Sequence, residues 1–193
     1  MTSSRKPLSD KLLKDCDLVM SLKDSGLVLL SESLKQEALR RICDESIQRI
    51  YICLHKLTEQ QIWHKPNEQS NSVGHLVLHL CGNARQWIGT GIGGEEDTRK
   101  RNWEFTTDEK FSKDRLIEML GTVDGELRQT IESISPEDWT QIRKVQVFEE
   151  SVLSILVHVV EHFSYHTGQI TLLTKLYINE DLKYYGDLNL EVQ

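Results

Sequence analysis

The stretch "HVVEHFSYHTGQI", residues 158 to 170, carries three of the chain's seven histidines at spacings of four. On a helix each residue turns by about 100°. With His158 set at zero, His162 falls at about 40° and His166 at about 80°. Ile155, Val159, Phe163, Ile170, Leu173 and Tyr177 fall between about 60° and 140° by the same geometry. His166 therefore points near the middle of an apolar stripe, His162 close to it, and His158 at its edge. An i, i+4 pair sits on one face with about 6 Å between Cβ atoms and can share a metal ion. His158 and His166 stand about 12 Å apart along the axis and cannot. The pair is 162/166 or 158/162, and inward direction favours His162 and His166.

"HVVEH" also fits the HxxEH pattern of inverted zinc proteases. That chemistry needs a further acidic ligand well downstream, and only 31 residues follow His162. Glu161 also points away from the apolar stripe. The five-residue match is weak by itself, and the protease reading is set aside.

A second pair lies in "NSVGHLVLHLCGNARQWI", residues 71 to 88. His79 is about 40° nearer than His75 to the apolar face of Val73, Leu76, Leu80, Ala84 and Trp87. A bundle interior can bring His79 opposite His162 and His166. Three imidazoles with an open fourth position make the catalytic type of divalent-metal site. Cys81 sits about 200° round from His79, so those two do not share a metal. His55 and His64 read as surface or loop histidines.

The periodic segments around these pairs suggest an all-α fold. One helix is expected from about 33 to 57, capped by Ser31 or Ser33. "TEQQIWHKPNEQSNS" reads as loop. The second helix starts near Ser72 and runs to about Gly89. A glycine-rich segment, residues 89 to 105, is too long for a tight connection and suits a crossover at the end of a bundle. The third helix is expected from 107 or 108 to 133, then a turn at "SISPEDW", then the fourth from about 150 to 177. With no strand alternation between them, these make a four-helix bundle with a long crossover between its second and third helices. Residues 1–30 form a partly helical N-terminal extension ("LSDKLLKDCDLVMSLK"), 31–180 the bundle, and 181–193 a tail.

Composition narrows the partners. The 193 residues are 38% hydrophobic and 27% charged, which suits one soluble domain with a sizeable core. No apolar run approaches the roughly 20 residues of a membrane span, and the N-terminus lacks a signal-like apolar region. The expected compartment is the cytoplasm, with no membrane partner. A net charge of −7 argues against nucleic acid. The basic "RKR" at 99 to 101 adjoins "EED" and reads as a solvated loop. Cys16, Cys43, Cys53 and Cys81 form no CxxC pair and read as reduced, mostly buried thiols.

With the helices and histidines in place, the chain resembles the DinB-like superfamily of metal-binding four-helix bundles. The resemblance covers about residues 32 to 178. It rests on "SNSVGHLVLHLCGNARQWI" and "HVVEHFSYHTGQI", with matching loops in "LTEQQIWHKPNEQSNS" and "GIGGEEDTRKRNWEF". It implies metal ligands at His79, which precedes "LCGN", and at His162 and His166, which precedes "TGQ". His75 and His158 fall outside that triad. Homodimers and small-molecule substrates are also implied, because superfamily members include metal-dependent S-transferases and a maleylpyruvate isomerase that use low-molecular-weight thiols.

Imidazole ligands suit zinc or nickel first, and iron or copper next. The expected activity is transfer of a low-molecular-weight thiol to an electrophile, the metal stripping the thiol's proton. Arg85, Arg99 and Arg101 are weak candidates for cofactor carboxylates, weighed against a solvated-surface reading. The alternatives are a hydrolase using metal-bound water and a non-enzymatic metal-stabilised stress or binding protein. No glutamate beside the fourth-helix pair offers a base for hydrolysis, so the first or third helix would have to supply one.

Overall fold

The structure, a computed structural model, describes residues 10–186, 188, 189 and 191, with side chains from residue 25 onward. Helix α1 (Asp10–Leu39) passes into a π-helical stretch (Arg40–Ile47) and then α2 (Gln48–Lys56) as one unbroken rod. Its inward positions are apolar, with Ile42, Cys43, Ile47, Ile50, Cys53 and Leu54 fully buried. Ser31 and Ser33, expected as caps, lie inside this rod. Ser31 Oγ accepts the Trp139 indole N–H at 2.8 Å, and Ser33 donates to the Leu29 carbonyl at 2.9 Å. The helix therefore carries back through residue 30 without a break.

A short helix, α3 (Glu59–Trp63), occupies a segment expected to be loop. Thr58 and Gln61 form a reciprocal capping box, which satisfies two otherwise orphaned N–H groups. Helix α4 (Val73–Ala84) starts at its Ser72 cap and widens into a π-turn (Arg85–Thr90). The wide turn puts four consecutive residues, Gln86, Trp87, Ile88 and Gly89, in the interior. The crossover then runs to α6 (Lys113–Glu132) and carries the single turn α5 (Trp103–Thr106). Helix α6 begins later than expected because Thr107 is extended and Ser112 supplies the cap.

Strands were not expected, yet β1 (Ile142–Val145) pairs antiparallel with β2 (Phe148–Ser151) in the register Ile142 to Ser151 and Val145 to Phe148. Each strand has four residues, too few for a clear alternation. The turn between them is Gln146-Val147, with Gln146 in the left-handed region (φ 55°). It lacks the Asn-Gly signature that announces a hairpin. Helix α7 (Val152–Ile178) follows directly, capped by Ser151, and ends at left-handed Asn179.

The four long helices share one core. α4 packs on α6 and α7, and α2 packs on the same two from the other side. On α7, Ile155, Val159, Phe163 and Ile170 are fully buried. Burial of such side chains stabilises by about 1.5–3 kcal/mol each, so this stripe fixes the rotation of α7. That rotation turns His162 and His166 toward α4. The fold is mostly helical, in keeping with the all-α reading, with the hairpin as an addition. Among the described residues, no helix is long and apolar enough to cross a membrane.

Candidate metal centre

His79 projects from α4 and His162 and His166 from α7, and the three meet inside the bundle. Each offers one ring nitrogen, and these atoms lie within 4.8 Å of one another. His79 Nε2 and His162 Nε2 are 3.0 Å apart. Four ligands at about 2.1 Å from a tetrahedral ion stand about 3.4 Å apart, so this cluster needs only small ring rotations to fit one. His79 and His166 are buried and His162 half-buried.

The other ring nitrogens are held by the protein. His166 Nδ1 lies 2.7 Å from Gln169 Oε1, which accepts a hydrogen bond from Nδ1–H and leaves Nε2 for the centre. His79 Nδ1 lies 2.8 Å from Glu104 Oε2, on α5 in the crossover. Arg99 clamps Glu104 through Nε to Oε1 at 2.7 Å and Nη2 to Oε2 at 2.9 Å. Arg99 Nη1 also donates to Gln86 Oε1 at 2.8 Å, and Gln86 Nε2 to Asp97 Oδ2 at 2.8 Å. The hairpin joins through Gln146, whose amide donates to Gln86 Oε1.

The electrostatics favour neutral rings at His162 and His166 and an ionised Glu104. Burial pushes His162 down to about 3, with His166, His79, His158 and Arg99 acting in the same direction. Burial lowers His166 too, against an opposing hydrogen bond to Gln169. For Glu104 burial acts upward, but the bonds from Arg99 and His79 outweigh it and hold the carboxyl below its ordinary range. Neutral nitrogen donors are what a divalent ion requires.

The remaining histidines stand apart. His75 is buried with both ring nitrogens engaged, Nδ1 with Ser72 Oγ at 2.6 Å and Nε2 with the Thr107 carbonyl at 3.3 Å. His158 stacks on Trp87 with ring centroids 3.9 Å apart, and its ring is 5.4 Å from that of His162. Its buried Nε2 has no hydrogen-bond partner among the described residues. His55 and His64 are exposed, as expected.

Two further expectations are corrected. Arg99 is not a solvated loop cation, nor is it open to a cofactor carboxylate. Its side chain is 4% exposed and is taken up by Glu104. Arg85 pairs with Glu126 at 2.7 Å, and Arg101 lies over the Phe105 ring at 5.5 Å. The nearest carboxylate to the histidines comes from the crossover rather than from the first or third helix, and sequence reasoning missed it. A cavity of about 440 Å³ lies beside this clamp, with Arg99 and Glu104 in its wall and Leu78, Cys81, Trp103 and Met119 among its lining. None of the three histidines lines it.

Three histidines thus converge from the second and fourth long helices of the bundle. Solved structures share the fold. A DinB-like protein from Bacillus subtilis is 14% identical, with a TM-score of 0.58 over 75% of this chain and 94% of that one. A DinB-like protein from Bacillus cereus is 16% identical, with a TM-score of 0.56 over 69% and 87%. A conserved protein from Enterococcus faecalis is 16% identical, with a TM-score of 0.58 over 77% and 97%. No curated protein matches the sequence. The chain belongs to the family described as "Protein of unknown function (DUF1572)", which matches residues 31–186.

Proposed function

We propose that His79, His162 and His166 bind a divalent metal ion, zinc or nickel first, and that the protein transfers a low-molecular-weight thiol to a small electrophile. One observation carries the reading: three imidazoles converge with no carboxylate among them. Such a neutral ligand set leaves the ion its double charge, and the ion supplies Lewis acidity that favours the thiolate over the thiol. In the reaction the S–H proton passes to solvent and an S–C bond forms. A leaving group departs, or the adduct takes up a proton.

The protein's own residues orient and enclose. Phe105 packs against His79 with ring centroids 4.6 Å apart, and Tyr165 against His166 at 4.9 Å. Glu104 supports the thiol reading over hydrolysis, because the bonds from Arg99 and His79 hold its carboxyl below the ordinary range and make it a weak base. The protein's cysteines are not the transferred thiol. Cys43, Cys53 and Cys81 are buried, and burial pushes the Cys81 thiol up to about 12. The side chain of Cys16 lies outside the described residues.

The test adds glutathione, bacillithiol or mycothiol, each with a model electrophile, to metal-loaded wild type and to His79→Ala. Turnover that the variant lacks supports the proposal. Ester or amide hydrolysis without thiol transfer would replace it with a hydrolase, and neither activity would favour a metal-stabilised binding protein.

A further inference from the structure

His79 differs from the other two members of the triad in being gripped from outside the helices that carry them. We infer that Glu104 is the positioning residue that sets His79 as a metal ligand, fixing the proton on Nδ1 and presenting Nε2 to the centre. This rests on the metal-binding reading above.

The geometry poses a choice of tautomer. His79 Nδ1 faces Glu104 Oε2 at 2.8 Å and Arg99 Nη2 at 3.1 Å. A carboxylate only accepts a hydrogen bond and a guanidinium only donates one. The two neighbours therefore demand opposite tautomers. With the proton on Nδ1, the ring donates to Glu104 and Nε2 keeps its lone pair for a metal. With Arg99 donating to Nδ1, the proton sits on Nε2 and ligation is blocked. Glu104 is the closer of the two. Arg99 Nη2 already has Glu104 Oε2 at 2.9 Å, so it does not need the imidazole.

Arg99 thus serves the histidine indirectly. Its two-pronged grip on Glu104 holds the carboxylate in the orientation that His79 needs. Both side chains are almost fully enclosed, at 4% and 5% exposure. A buried pair of this kind is weak evidence for stability, and orientation is a better account of it.

Gly82 supplies an independent observation. It lies inside α4, three residues after His79, where glycine costs a helix roughly 1 kcal/mol against alanine. A Cβ at Gly82 would meet Glu104 Oε1 at 2.1 Å. The helix is left bare where the carboxylate of the crossover comes down on it. The seat for Glu104 is therefore built from both sides.

The experiment compares wild type, Glu104→Ala, Glu104→Gln and Gly82→Ala. In metal-free protein, nitrogen NMR of the imidazoles reads which nitrogen of His79 carries the proton. In loaded protein, competition with a chelator reads zinc affinity, and thermal unfolding checks that each variant folds. Wild type is expected to carry the proton on Nδ1. Glu104→Ala is expected to lose that preference and about 10–100-fold in zinc affinity, the usual effect of removing such a partner. Gly82→Ala removes no polar group, yet it is expected to follow Glu104→Ala because its methyl displaces the carboxylate. Glu104→Gln keeps an acceptor for His79 but cannot take both Arg99 bonds, so it is expected to retain Nδ1–H with an affinity between wild type and Glu104→Ala, a partial rescue that a merely structural role does not predict. A folded Glu104→Ala variant that matches wild type in tautomer and affinity overturns this inference alone, as does a wild-type proton on Nε2. Wild type that takes up no zinc overturns the metal reading and this inference with it.

Discussion

His75 and His79 stand one turn apart on α4 and are equally buried, each 5% exposed. Their surroundings differ at the second ring nitrogen. His75 spends Nδ1 on the hydroxyl of its own helix cap and Nε2 on the Thr107 carbonyl. His79 spends Nδ1 on Glu104, and its Nε2 faces another histidine across the bundle. Depth of burial does not separate a core histidine from a ligand. What separates these two is whether the protein occupies both ring nitrogens, because an imidazole with both engaged has no lone pair to give.

The harshest way to break this comparison is to truncate each ring in turn. His79→Ala, His162→Ala and His166→Ala are each expected to abolish stoichiometric uptake of zinc or nickel, measured by metal analysis of untagged protein. His75→Ala is expected to keep full stoichiometry. His158→Ala should keep most of it as well, since His158 lies outside the triad. Loss of metal in either of these last two variants would show that the wrong histidines were separated.

Acid sharpens the contrast next. Burial first, and then the neighbouring imidazoles, bring His162 to about 3 in the folded protein, against about 6.5 for an ordinary histidine. Between those values the unfolded chain binds the proton and the folded one does not. The sign follows: the stability of metal-free protein is fully present above about pH 6.5 and falls as pH drops toward 3. His166 and His75 are lowered as well and add to the slope in the same direction. Denaturant unfolding of chelator-treated protein at stepped pH reads this slope. His162→Asn should flatten it, and an unchanged slope in that variant would put the acid sensitivity elsewhere.

The same physics explains which parts of the molecule were legible in sequence. The rotation of α7 could be read because Ile155, Val159, Phe163 and Ile170 recur at helical spacing and the histidines ride with them. The separation of His79 from His75 could be read from 40° of helix rotation. Gln169 was within reach too, three residues after His166 and so on the same face. Glu104 was not, because it is 25 residues from His79 and on a different element. No periodicity links two such positions. The one local sign of it was Gly82, a bare position in an otherwise good helix. The hairpin escaped notice for a related reason, since its turn uses Gln146 in a left-handed conformation without a glycine. The N-terminal boundary was misplaced because Ser31 and Ser33 look like caps, while their hydroxyls make other bonds within and across helices.

A smaller effect concerns His75 as a packing residue. Its ring meets Trp63 edge-on with centroids 5.3 Å apart, and truncation also strips partners from Ser72 and the Thr107 carbonyl. His75→Ala is expected to cost about 2–4 kcal/mol of stability. Zinc affinity should stay within a few-fold of wild type. A stability change well under 1 kcal/mol would mean that the ring is not part of the core in solution.

The smallest expected effect falls on Ser72, which performs two tasks with one oxygen. Its Oγ accepts the His75 backbone N–H at 3.3 Å, capping α4, and lies 2.6 Å from His75 Nδ1. Losing a serine cap costs about 1 kcal/mol, and leaving a buried ring nitrogen unpaired adds about 1 kcal/mol more. Ser72→Ala is therefore expected to destabilise by about 1–2 kcal/mol, read by denaturant unfolding, with metal stoichiometry unchanged. The two contributions can be parted in a double-mutant cycle with His75→Ala. In that background the ring is already gone, the backbone N–H remains, and only the capping part of the loss should persist. Strict additivity would show that the hydroxyl does nothing for the imidazole. His75 would then have one ring nitrogen to spare, and the distinction between it and His79 would rest on the Thr107 carbonyl alone.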